Sequence, residues 1–212
     1  LYNVMSGGAF AQATVFALSI QPYINSSIII QLLTVAIPAL ERLARDTGST
    51  ALLSRVEGSS ITVIDQCVSG AGIRVASEMG SHVSLYATSQ GKLLLASLSD
   101  SAVRRLIPEG KLQAFTPHTL TDLPALLADL ERIRTQGYAI ENGEYKIGLR
   151  SVSAPVYSRE NDIAYIVSAV GLFRRVESDE FDLVIRQTCD DARALSLQNG
   201  GGGCAEKPCL PL

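Results

Sequence analysis

The chain has 212 residues, of which 47% are apolar, enough for one domain with a packed core plus appendages. Its formal net charge is −3 and no stretch concentrates Lys and Arg, which argues against a nucleic-acid surface, since phosphate binding needs a basic patch. Cys67, Cys189, Cys204 and Cys209 are too scattered for a disulfide framework and lack the four-ligand set of a structural zinc site, so a reducing, cytoplasmic setting is expected.

Taken in chain order, the first feature is a leader, Leu1 to Leu40, without Asp, Glu, Lys, Arg or His; all 18 basic and 21 acidic residues follow from Glu41 onward. Within it, Phe10 to Ile20 and Ile28 to Ile37 are apolar runs split by Gln21 to Ser27. Each is shorter than the roughly 20 residues of a lone span, so entry into a bilayer would need protein around the break. The basic start and cleavage region of a signal peptide are missing. Membrane contact through residues 1–40 is one reading of this leader.

From Glu41 to Asn199 the pattern is mixed α/β. Thr50 to Val56 and Ile61 to Val68 are predicted strands around the turn Glu57-Gly58-Ser59-Ser60, and Ile73 to Ala76 is a shorter third strand of the same antiparallel meander. Ser89 to Leu98 is predicted as a helix capped by Thr88 or Ser89, and Ser99 starts another that stops before Pro108. After an irregular connection through Pro117 and His118, Thr121 or Asp122 caps a helix whose Leu123, Leu126, Leu127, Leu130 and Ile133 share a face and which Gly137 ends. Tyr138 to Ile140, Ile147 to Val156 and Ile163 to Val170 are predicted strands. Ser178 caps a last helix with a stripe of Phe181, Val184, Ile185, Ala192 and Leu195. Gly200 to Leu212 has no period and is expected to be a disordered tail.

Two stretches carry more specific wording. Ser6-Gly7-Gly8-Ala9-Phe10 with Ile20-Gln21-Pro22-Tyr23-Ile24-Asn25-Ser26-Ser27 and Ile28 to Thr34 resembles the second transmembrane segment of the SecY protein-conducting channel, over about residues 1 to 45. That family builds a pore from about ten such segments, so none can form here. Gly80-Ser81-His82-Val83-Ser84-Leu85-Tyr86-Ala87-Thr88-Ser89-Gln90-Gly91-Lys92 resembles the signature loop and helix of the effector-binding domain of IclR-type transcription regulators. Ile133 to Tyr138, Glu144 to Val156 and Val167 to Gly171 match that family in order, over about 155 residues. The resemblance implies an α+β, GAF-like antiparallel sheet flanked by helices. The expected organisation is therefore an apolar, channel-like helical segment at 1–43, a sensor domain at 44–199 and a tail at 200–212, with the join marking a chimera.

The same resemblance implies a domain that binds a small-molecule effector, often an organic or aromatic acid. It also implies a homo-oligomer that reaches DNA only through a winged helix-turn-helix missing from this stretch. Carried over residue by residue, the ligand-binding positions are Ser89, Glu141, Ser151, Ser168 and Val170. Val170 stands where many relatives have a second serine, which makes the pocket more apolar. Each serine is also explained as a buried hydroxyl satisfied by backbone, and Glu141 as a solvated turn residue. Gly80, Gly91 and Gly148 read as turn or close-packing positions. No cofactor or metal motif is present and no nucleophile elbow or phosphate loop occurs. His82 and His118 are isolated, so a non-enzyme is expected. The competing expectation is a membrane-associated channel fragment fused to a passenger domain.

Overall fold

The structure, a computed structural model, describes residues 27–69, 83–108 and 110–201. The predicted strand at Ile73 to Ala76, residues Gly80 and His82, the first 26 residues and the tail beyond residue 201 lie outside them. Helix α1 spans Ser27–Thr47, followed by strands β1 (Thr50–Glu57) and β2 (Ser60–Val68). Helices α2 (Ser89–Ala96), α3 (Asp100–Leu106) and α4 (Leu123–Gln136) come next. Strands β3 (Ala139–Asn142), β4 (Arg150–Tyr157) and β5 (Ile163–Gly171) and helix α5 (Asp179–Gln198) complete the order.

The strands form one antiparallel sheet in the order β2-β1-β5-β4-β3. Successive side chains of a strand point to opposite faces, and here both faces are covered. Ala51 and Leu53 of β1, Val152, Ala154 and Val156 of β4, and Val167 and Ala169 of β5 pack against α1 and α5 through Leu40, Leu43, Ala44, Phe181, Ile185 and Ala192. The opposite face offers Ala139 and Ile166 to the leucines of α2 and to Leu126, Leu130 and Ile133 of α4. That second face also carries Glu141, Ser151, Ser153 and Ser168. The strand period therefore places a polar patch under α2.

The caps follow local chemistry. Thr88, Ser99, Asp122 and Ser178 each accept a backbone N–H of the helix they open, and Gly137 ends α4 in the left-handed region at φ 84°. Most strand ends shift by a residue or two from the sequence expectation, and two of the shifted boundaries, one of a helix and one of a strand, have a clear local cause. Helix α2 stops at Ala96 because Ser97 turns back, its N–H and hydroxyl both donating to the Leu94 carbonyl. Strand β4 begins at Arg150 instead of Ile147 because Gly143 and Gly148 adopt positive φ and the Leu149 N–H closes a turn onto Lys146.

The apolar helical segment expected as an appendage needs correction. Residues 27–47 form one continuous helix across the expected join, and Ala36, Leu40, Leu43 and Ala44 are fully part of the core shared with α5. Arg42 also pairs with Asp191 of α5. Among the described residues no helix is long and apolar enough to cross a membrane. The membrane contact expected for residues 1–40 thus finds no support over the described part.

Candidate functional site

Four of the five expected site residues meet under the first turn of α2. Ser89 Oγ lies 2.7 Å from Ser151 Oγ and 2.7 Å from Ser153 Oγ. Ser153 Oγ lies 2.8 Å from Ser168 Oγ. At the other end the Ser151 hydroxyl donates to Glu141 Oε2 at 3.2 Å, and the Tyr145 N–H donates to Glu141 Oε1 at 3.2 Å. The result is one continuous chain, Ser168-Ser153-Ser89-Ser151-Glu141, drawn from β5, β4, α2 and β3. The registers explain it, because Ser153 faces Ser168, and Ser151 faces both Glu141 and Val170 across their strand pairs.

All of these groups are buried, with Glu141 only 1% exposed, so Glu141 is not a solvated turn residue. Burial pushes its carboxyl from an ordinary 4.5 up to about 7, and nearby Glu144 adds to the rise. The Tyr145 N–H, the Ser151 hydroxyl and the charge of Lys92 pull the other way. Val170, the fifth expected residue, lies on the same face, but its apolar side chain cannot join the hydroxyl chain; it packs with Leu52 and Val63.

Sequence reasoning missed Ser153, although a period of two from Ser151 places it on the same face. It also missed a buried ion cluster one helical turn from Ser89. Lys92 Nζ lies 2.6 Å from Glu144 Oε1 and 2.9 Å from Asp129 Oδ2, and the largely exposed Arg132 pairs with the other oxygen of Asp129. Burial raises the Glu144 carboxyl, and the Lys92 ammonium opposes that rise. The turn holding Glu144 is pinned by Thr116 to the Gly143 carbonyl at 2.7 Å and by Thr119 to the Glu144 carbonyl at 2.6 Å. Lys92 gave no signal, since a lysine on a short helix reads as a solvated face until its partners are placed.

Gly91 is required by close approach: a Cβ there would stand 2.1 Å from the Ser84 carbonyl oxygen and 2.4 Å from Leu85 Cα. Ser89 and Lys92 also stand in the S-x-x-K spacing of some acyl-transfer enzymes. Here the ammonium is engaged by two carboxylates and the Ser89 hydroxyl by two other serines. An open groove of about 480 Å³ lies on the outer side of Glu144, lined by His118, Leu120, Asp129, Arg132 and Asn142 among others, and does not reach the serines. Among the described residues no group of His, Cys, Asp and Glu is arranged to hold a metal ion.

Residues 26–197 match the family model described as bacterial transcriptional regulator IclR C-terminal. The chain belongs to the IclR family. It is 32% identical over 168 residues to the HTH-type transcriptional repressor AllR of Escherichia coli K12, covering 79% of this chain and 62% of that protein. To the HTH-type transcriptional regulator BhcR of Paracoccus denitrificans it is 33% identical, covering 76% of this chain and 57% of that protein. The chain thus spans less than two thirds of the length of these curated relatives. Among solved structures, the Thermotoga maritima IclR superposes with a TM-score of 0.76 at 25% identity, covering 90% of this chain and 74% of that one. The inducer-binding domain of a PobR double mutant from Acinetobacter, in complex with 3-hydroxybenzoic acid, has TM-score 0.68 at 23% identity over 77% of this chain and 96% of that one, which speaks for the fold alone.

The family match begins at residue 26, inside the stretch that resembles the SecY channel. Residues 26–45 therefore belong to the IclR domain, and neither the translocase fragment nor the chimera is supported.

Proposed function

We propose that this chain is the effector-sensing domain of a transcriptional regulator that binds a small organic or aromatic acid against the hydroxyl chain of Ser89, Ser151, Ser153 and Ser168. The observation that carries this reading is the cluster itself. Three hydroxyls and a carboxyl occupy buried sheet positions, and a fourth hydroxyl opens α2 above them, where apolar side chains would pack more favourably; buried polar groups are costly when they serve packing alone. Leu52, Val63 and Val170 beside Ser168 give the site an apolar wall suited to a hydrocarbon or aromatic part. Of the signature stretch, residues 83–92 are described, and its Ser89 opens α2 over this face of the sheet.

DNA contact belongs in this reading to a helix-turn-helix module outside the matched domain, as in relatives named as HTH-type regulators, and the regulator works in the cytoplasm as a homo-oligomer. A thermal-shift screen with aliphatic and aromatic acids tests the reading. At least one acid is expected to raise Tm, and Ser153→Ala or Ser168→Ala to reduce that rise. Equal shifts in wild type and both variants would remove the site from this face of the sheet.

A further inference from the structure

The hydroxyl chain imposes a hydrogen count. A serine hydroxyl has one hydrogen and two lone pairs, whereas an ionised carboxylate only accepts. With Glu141 ionised, Ser151 must donate to it, Ser89 to Ser151, Ser153 to Ser89 and Ser168 to Ser153, given the four contacts between them. All four hydroxyl hydrogens are then used. The cluster presents only lone pairs to an arriving group, which is the wrong polarity for an anion.

A protonated Glu141 supplies a fifth hydrogen. It donates to Ser151, every bond in the chain reverses, and the Ser168 hydrogen is released on the side where β5 meets Leu52 of β1. We propose that the site takes up an anionic carboxylate ligand together with one proton from solvent, the ligand accepting from Ser168 while the proton comes to rest on Glu141. The proposal rests on the sensing role given above. No bond other than the O–H of Glu141 is formed, and a neutral ligand of the same shape would need no proton.

The surroundings of Glu141 fit this exchange. Its carboxyl titrates near neutral pH because it is buried. Among the described residues, Lys92 of α2 lowers its titration and Glu144 of the following turn raises it. Asp129 of α4 is taken up by Lys92 and Arg132. Arg150 of β4 is committed to Asn142 and the Phe173 carbonyl. Tyr165 of β5 belongs to the opposite face.

Calorimetric titration of the full chain with acetate, pyruvate, benzoate and 3-hydroxybenzoate, in paired buffers of different ionisation heat, reads the proton directly. Each anion that binds is expected to take up close to one proton at pH 8.5 and almost none at pH 5.5. Its Kd should rise about tenfold between pH 7.5 and 8.5, one proton per pH unit. Glu141→Gln, whose amide donates to Ser151 at any pH, should bind with no proton uptake and a flat Kd. If that variant does not fold, Ser151→Ala cuts the chain beside Glu141 and should abolish uptake equally. Anion binding at pH 8.5 without proton uptake overturns the relay and leaves the sensing role standing. Failure of all four anions to bind at pH 5.5, where the spare hydrogen exists, also overturns the relay, and titration with neutral benzamide then decides the sensing role separately.

Discussion

Lys92 shows how much one side chain can hold. Its ammonium is 1% exposed between two carboxylates that are themselves nearly buried. Removing one partner of such a cluster is costly because the remaining charges stay unpaired out of water. Lys92→Met is therefore expected to lose about 3 to 5 kcal/mol of stability in urea denaturation at pH 8, and less as the pH falls, because burial raises the Glu144 carboxyl and favours its neutral form once the ammonium is gone. Glu141 acts with a definite sign as well. Its folded-state carboxyl titrates near 7 against an ordinary 4.5, so the folded chain keeps a proton that the unfolded chain has released between those values. This contribution to stability is complete below about pH 4.5, declines as pH rises toward 7 and is gone above it. Glu141→Gln should flatten that decline and be the more stable form at pH 8 by on the order of 2 kcal/mol, read from urea midpoints at pH 5, 6.5 and 8. Of these residues the sequence disclosed Glu141 and three serines through family wording. It could not disclose Lys92, Asp129 or Glu144, because their roles exist only once three separate elements are packed together.

Elements were more legible than contacts. Caps are written in one or two residues, so Thr88 or Ser89, Ser99, Thr121 or Asp122, and Ser178 marked helix starts, and Gly137 marked an end, before any packing was known. The start of β4 was not legible, since Ile147-Gly148-Leu149 is as apolar as a strand and only the positive φ at Gly148 and the Thr116 and Thr119 contacts turn it into a loop. Helix α2 is legible in another way: Gly91 sits where it must touch the preceding loop. Gly91→Ala would drive a Cβ into the Ser84 and Leu85 backbone, which cannot yield as a flexible side-chain end would. The variant is expected to lift α2 from the sheet, separating Ser89 from Ser151 and Ser153. Hydrogen exchange should show faster exchange across Ser89–Ala96 while α5 stays protected. Uniform protection would mean that the loop absorbs the clash.

At the scale of the whole molecule, the leader was hardest to read because hydropathy counts composition and ignores neighbours. The run Ile28 to Ile37 is as apolar as part of a membrane span, yet the helix it opens buries Ala36, Leu40, Leu43 and Ala44 on one face and leaves Thr34, Val35 and Pro38 exposed. The spacing of three and four between those buried positions is that of an amphipathic helix on a protein core. Helix α1 and α5 together cover one face of the sheet, so α1 contributes to the fold whatever precedes it. Leu43→Ala, at a site 1% exposed, should cost about 2 to 4 kcal/mol, the range for a large-to-small change in a packed core. A chain starting at Gly48 should fare worse, because it would leave Ala51, Leu53 and the apolar stripe of α5 without their cover. Loss of cooperative urea unfolding together with strong binding of a hydrophobic dye is the expected result. Cooperative unfolding with an unchanged midpoint would show that α1 only rests on the domain, and would reopen the reading of residues 27–47 as an appendage.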